Sequence, residues 1–204
     1  MATEQSNEPA TASQAADLWN KRFGQSFFGF IAEFSKESDR AAVILVGARL
    51  DYLLGELLSR FLLPNTGSHD ELLDNDRAMG TFSTRIHAAY RLGLIDGEFA
   101  RALHIFRRLR NTFAHETAGG SFDHGPSRDR VQELVAPVAH AEVFANLRAL
   151  YFKDKTESAA DFFTAAAVLV GRLEVACGSV TRITASTTFV LSPRGWKATD
   201  ERAP

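Results

Sequence analysis

The sequence has 204 residues, 45% of them hydrophobic and 24% charged, and its 23 Lys and Arg against 25 Asp and Glu leave a net charge of −2. That mix excludes a wholly disordered, collagen-like or acidic solvating chain, and it gives no overall positive field, so any contact with nucleic acid must come from a local patch. The single cysteine, Cys177, excludes an internal disulfide and a multi-cysteine zinc site.

Residues 1–15 are polar, rich in Ala, Ser and Thr, and predict a tail outside the fold. They carry no basic start followed by an apolar run, so they do not read as a signal peptide. The longest uncharged apolar stretches, 41–48 and 162–171, fall short of the roughly 20 residues that a membrane span needs. With the single cysteine, these features point to a cytoplasmic protein without a membrane partner. One domain is expected over residues 16–180, followed by an irregular tail over 181–204.

From Trp19, apolar residues recur at Phe23, Phe27, Phe30, Ile31 and Phe34, the spacing of an amphipathic helix with an aromatic stripe. Ser38 and Asp39 can cap a second helix, which Val43, Val46, Leu50, Leu53, Leu54, Leu57, Leu58 and Phe61 carry until Pro64 stops it. A polar loop holding a short piece at 71–73 runs over residues 64–80. A third helix is expected over 81–92 on Phe82, Ile86, Ala89 and Tyr90, with Gly93 as its stop. Asp96 then caps a fourth, with Phe99, Leu103, Phe106, Leu109 and Phe113 on one side and Gly119 and Gly120 at its end.

Beyond it, residues 122–126 read as a turn and 128–135 as a short helix, while 138–152 fits helix or extended chain. Ser158 with Asp161 has the pattern of a capping box and opens a fifth long helix on Phe162, Phe163, Ala166, Leu169, Val170, Leu173 and Cys177. Residues 181–190, rich in Thr, suit a strand or coil. The fold class is all-α: a single bundle of about five helices with a less regular C-terminal region.

Most enzyme signatures are missing, including a phosphate loop, a dinucleotide fingerprint, a zinc-protease motif and a nucleophile elbow. The histidines at 69, 87, 104, 115, 124 and 140 lack ligand spacing, so neither a metal nor a cofactor is expected. One segment concentrates charge. Arg101, His104, Arg107, Arg108 and Arg110 follow one another with no acid between them, making a basic field inside a slightly acidic chain. Arg101, His104, Arg107 and Arg108 are the candidates for nucleic-acid or partner binding, and a solvated face is the simpler reading of the arginines.

On a helical wheel Arg110 falls within the arc of Phe99, Leu103, Phe106 and Phe113. A buried guanidinium without a partner costs several kcal/mol, so Arg110 requires an acid such as Asp39, Asp51 or Glu56, a bound anion, or an interface. Asn111 and His115 share another face with His104 and Arg108. Arg110 and His115 stand about 140° apart on an ideal helix, so a joint site needs either distortion near Gly119 or two copies meeting. Glu56 and Arg60 suit an i,i+4 pair, and Cys177 sits in an apolar stripe as a core thiol. Ala89, Gly93 and Phe99 match helix-turn-helix positions, but Asp96, Gly97 and Glu98 open the second helix where phosphate-binding residues belong.

The run Arg110-Asn111 followed by His115 resembles the signature of the HEPN superfamily. That resemblance implies a helical bundle that dimerises through the helices bearing the motif. In active members the pair cuts RNA without metal, which names Arg110, Asn111 and His115 as catalytic: His115 as general base for the 2′-hydroxyl, Arg110 against the phosphate charge. Many such domains keep the scaffold without the activity.

A longer resemblance, over residues 17–135, is to the mannitol-operon-repressor family of bacterial regulators. Ser38-Asp39-Arg40, Leu50-Asp51-Tyr52-Leu53-Leu54, the stretch from Met79 to Ile86, the stretch from Ala89 to Ile95, and Arg110 to His115 carry it. It implies an all-α regulator of transcription that acts through partners and has no DNA-reading module. Nothing in this chain ties it to mannitol. The expectation that follows is a homodimeric negative regulator of transcription working through protein or nucleic-acid contacts, with a metal-independent endoribonuclease as the alternative.

Overall fold

Residues 26–115, 120–140 and 142–186 are described by the structure, a computed structural model, and among them every regular element is a helix. The described part of α1 is residues 26–34. It is followed by α2 (Asp39–Phe61), α3 (Phe82–Arg91), α4 (Gly97–His115), α5 (Gly125–Val135), α6 (Glu142–Tyr151) and α7 (Glu157–Ser179). The all-α reading holds, with seven helices among the described residues where about five were expected. Of the stretch 138–152 that fitted helix or extended chain, Glu142–Tyr151 is helical as α6 and 138–140 is a turn. Trp19, Phe23, the 1–15 tail, Gly119 and residues 187–204 lie outside the described residues.

Local chemistry explains most of the boundaries. The Ser38 hydroxyl accepts the Ala41 N–H at 3.4 Å at the start of α2. Thr81 and Thr84 cap α3 reciprocally, and the backbone leaves that helix through Gly93 at φ 71°, a left-handed conformation that glycine adopts at little cost. The Asp96 carboxylate accepts the Phe99 N–H at 2.8 Å where α4 begins. The expected Ser158–Asp161 box does not form. Thr156 stands at the N-cap of α7 without a side-chain cap bond; its hydroxyl donates to Asp123 Oδ1 at 2.9 Å, and Asp161 accepts from Arg148 of α6 at 2.8 Å.

α7 lies at the centre, packed by α2, α5 and α6, with α3 and α4 completing the bundle against α2. Its composition requires this position: Phe162 to Val170 is buried residue after residue, and a helix apolar all round has no face for water. By length and composition α7 could cross a membrane, with a mean hydropathy of 1.4 over its most apolar stretch, but two thirds of that stretch is buried inside the bundle. α2 runs alongside it in the same sense. Arg49 pairs with Glu174, which is buried, and the Cys177 thiol donates to the Leu53 carbonyl at 3.4 Å. Farther along, the Ile183 N–H donates to Phe61 O at 2.8 Å; residues 181–186 form no strand.

A phenylalanine cluster fills the space between α7 and its neighbours. Phe163 stacks on Phe34 of α1 at 5.1 Å and also meets Phe152, while Phe162 stacks on Phe122 at 4.2 Å. Phe122, read from sequence as part of a turn, is fully buried there and also touches Phe113 of α4.

Burial pushes the Cys177 thiol up from 9.0 to about 11. Its folded pKa is therefore above its unfolded one, so the unfolded chain releases this proton first. Stability should fall as pH rises from about 9 towards 11, with little contribution below that window. Denaturant melts at stepped pH check the slope, and iodoacetamide at pH 8 should label Cys177 only after unfolding.

Candidate functional site

α4 is a regular helix through His115, and its sequence divides it into three faces. Ala102, Leu103, Ile105, Phe106, Leu109 and Phe113 are buried in the bundle. An outer face carries Arg101, His104, Arg108, Asn111 and His115. Between the two lie Arg107 and Arg110, with Arg110 on the side towards α2.

The outer face is held from both sides. Arg101 and Arg108 converge on one carboxylate, Glu133 of α5, at 3.7 and 3.3 Å. Next to them His104 is half-buried, its ring centroid 4.7 Å from that of His87 on α3. Burial first, then the neighbouring His87, Arg107 and Arg108, hold the His104 imidazole below its usual pKa of 6.5, so it is neutral at pH 7. Asn111 and His115 are exposed. Arg101, His104, Arg108 and Glu133, with His87 and Tyr90 of α3, line an open groove of about 560 Å³ between α3, α4 and α5.

Arg107 and Arg110 are half-buried, and the Nε of each is buried without a hydrogen-bond partner among the described residues. The Arg110 stem runs over Gly47: a Cβ there would stand 3.3 Å from its Cγ and Cδ, so the missing side chain makes its path. The acids expected to neutralise Arg110 are engaged elsewhere. Asp51 accepts from Arg85 at 2.8 Å, Glu56 pairs with Arg60 at 3.3 Å, as its i,i+4 spacing suggested, and Asp39 accepts the Phe122 N–H at 3.0 Å. The ion-pair reading of Arg110 is thereby corrected. Among the described residues, the other half-buried arginines all have side-chain partners: Arg49 with Glu174, Arg60 with Glu56, Arg85 with Asp51, Arg130 with Thr112 and Arg148 with Asp161.

Because α4 stays helical through both residues, the separation of about 140° between Arg110 and His115 persists, and one chain does not point both at one atom. The residues that sequence reasoning missed are His87, Tyr90 and Glu133, which reach the outer face from two other helices. Among the described residues, no three His, Cys, Asp or Glu side chains are grouped as metal ligands.

No protein-family profile matches the sequence, and no curated protein does. Among solved structures there is a distant, fold-level similarity to the "X-ray structure of the MtlR-HPr complex from Escherichia coli", at 18% identity over 74% of this chain and 99% of that chain, with a TM-score of 0.48.

Proposed function

We propose that this protein is a non-enzymatic regulator, a negative regulator of transcription that acts by contact through α4 and has no helix-turn-helix reader of its own. Its partner presents anionic or acceptor groups to Arg101, His104, Arg107, Arg108 and Arg110, and the working unit is a cytoplasmic homodimer. The observation that carries the reading is the pair Arg107 and Arg110, whose Nε donors are buried and unbonded. A buried donor without an acceptor costs about 1–3 kcal/mol, a cost relieved when the side chain turns outward to meet a phosphate or carboxylate. A guanidinium fork also suits either group in a bidentate bond.

The resemblance to bacterial regulators supports the reading by elimination. Of the residues that carry it, Ser38, Asp51, Thr81, Thr84, Arg85 and Gly93 have structural tasks in capping, clamping or ending helices. No such task accounts for the Arg110 head group or for exposed Asn111 and His115.

One specific observation favours the second reading, a metal-independent endoribonuclease: Arg110 is not locked to an acid in its own core. In that mechanism His115 takes the 2′-hydroxyl proton while Arg110 of a second copy stabilises the phosphate. Titration of mixed-sequence single-stranded RNA in EDTA across a salt series tests both readings. Binding is expected with a log–log salt slope that shrinks by about 0.7 for each phosphate that Arg107→Ala or Arg110→Ala leaves unneutralised. An unchanged affinity and slope in both variants sinks the regulator's nucleic-acid contact. Cleavage leaving cyclic-phosphate ends that vanishes in His115→Ala establishes the enzyme, and intact RNA removes it.

A further inference from the structure

We propose that the groove between α3, α4 and α5 binds a phosphomonoester, whose phosphate takes the place of the Glu133 carboxylate between Arg101 and Arg108 and accepts hydrogen bonds from His87 and His104. The proposal rests on the α4 reading above in treating these basic residues as an anion-binding face, and it adds a small-molecule effector to it.

The resident carboxylate supplies the geometry. Arg101 and Arg108 are two helical turns apart, yet both reach Glu133, so both can reach one anion at that position. Their hold on Glu133 is loose: Arg108 makes a single hydrogen bond of 3.3 Å, and Arg101 stands off at 3.7 Å, beyond hydrogen-bond range. Two guanidiniums thus share one negative charge, and most of their ten N–H donors bond no other group among the described residues. A phosphate dianion offers three acceptor oxygens and the second charge that this pair lacks.

The histidine pair points the same way. His87 and His104 come from different helices, with ring centroids 4.7 Å apart. Each imidazole has an N–H to donate, and an acceptor in the groove can take both. The charged and titratable groups around them are Arg101, Arg107 and Arg108 of α4, Tyr90 of α3 and Glu133 of α5, so among the described residues Glu133 is the one acid facing the groove. A volume of about 560 Å³ falls in the range of small-ligand pockets. Tyr90, 48% exposed at the groove, offers a ring face to the organic part of the ester.

The test is calorimetric titration of the full chain with adenosine 5′-monophosphate, inorganic phosphate and adenosine. The monophosphate and phosphate should compete for one site, and adenosine should not bind. His87→Gln, at an exposed position that leaves the core alone, should weaken the monophosphate roughly tenfold, as expected for one charge-assisted hydrogen bond. Glu133→Gln should tighten it by removing the competing carboxylate, while Asp129→Asn, which takes the same charge off α5 outside the groove, should not. Absence of saturable binding at millimolar ligand overturns the proposal, as does binding that neither His87→Gln nor Glu133→Gln alters. RNA binding that depends on Arg107 and Arg110 would survive that failure, so the two readings fall separately.

Discussion

Arg85→Leu is expected to destabilise the fold by about 3–5 kcal/mol, because it takes a charged donor from one half-buried carboxylate and three backbone carbonyls at once. The Arg85 side chain is 13% exposed and that of Asp51 35%, and each guanidinium nitrogen is bonded. Nε donates to Met79 O at 3.1 Å, one terminal nitrogen to Leu73 O at 3.0 Å, and the other to Asp51 Oδ1 at 2.8 Å and to Asp51 O at 3.3 Å. One side chain on α3 therefore fastens both ends of the 73–79 loop to α2. A Cβ at Gly80 would collide with the Asp74 and Asn75 carbonyls, so the loop packs too closely there for any residue but glycine. In a domain of this size the loss corresponds to a fall in melting temperature of roughly 6–20 °C. Limited proteolysis should show new cleavage within residues 64–80. Arg85→Lys should recover only part of the loss, because a point charge cannot meet acceptors in three directions. Melting of Arg85→Leu at the wild-type temperature would show that the clamp is ornamental.

The same clamp marks a limit of sequence reading. α2, α3 and α4 were legible because each combines a run of apolar residues at helical spacing with a local start or stop such as Ser38, Asp96 or Gly93, and α7 from its apolar run alone. Arg85 gave no such signal: its acid is 34 residues away and its other acceptors are backbone carbonyls, which every sequence has. α6 was ambiguous for a different reason. It spans ten residues, with Phe144 and Leu147 buried while Leu150 and Tyr151 are exposed, so its apolar pattern does not mark a single face. At α7 the Ser158–Asp161 pattern misled because side chains from other segments, Asp123 and Arg148, claim the Thr156 hydroxyl and the Asp161 carboxylate.

The candidate site divides along similar lines. Placing Arg110 in the apolar arc of α4 correctly implied burial of its stem, and Gly47 supplies the room. The expected acid partner failed because wheel position specifies a direction from one helix, not what the facing helix presents there. α2 turns Asp51 and Glu56 to Arg85 and Arg60, and leaves Gly47 towards Arg110. His104 and Arg108 were found together because they are four apart on one helix. His87 and Glu133 join them only through packing of α3 and α5 against α4, and no local spacing records that.

Phe163→Ala should cost about 3–5 kcal/mol as well, through a cavity rather than a missing charge partner. The ring is fully buried and lies among four others: Phe34 at 5.1 Å, Phe152 at 5.6 Å, Phe162 at 5.7 Å and Phe122 at 6.4 Å. Its face also carries the Lys155 ammonium at 4.0 Å. Apart from Phe162 on α7 itself, these partners come from α1, from the chain after α6 and from the segment before α5, so one truncation loosens three connections. Collapse to fill the space is restricted, because Phe162 and Phe122 are already stacked on each other at 4.2 Å. α1 should open first, since Phe34 loses the closest of its inter-helix stacking partners. The effect should therefore appear as faster amide exchange at residues 26–34 before any change in α2 or α4. Phe28→Ala is the matched control: that ring is 51% exposed, and its removal should shift stability by less than about 1 kcal/mol. Equal losses in the two variants would mean that the aromatic cluster does not hold α1 on the bundle.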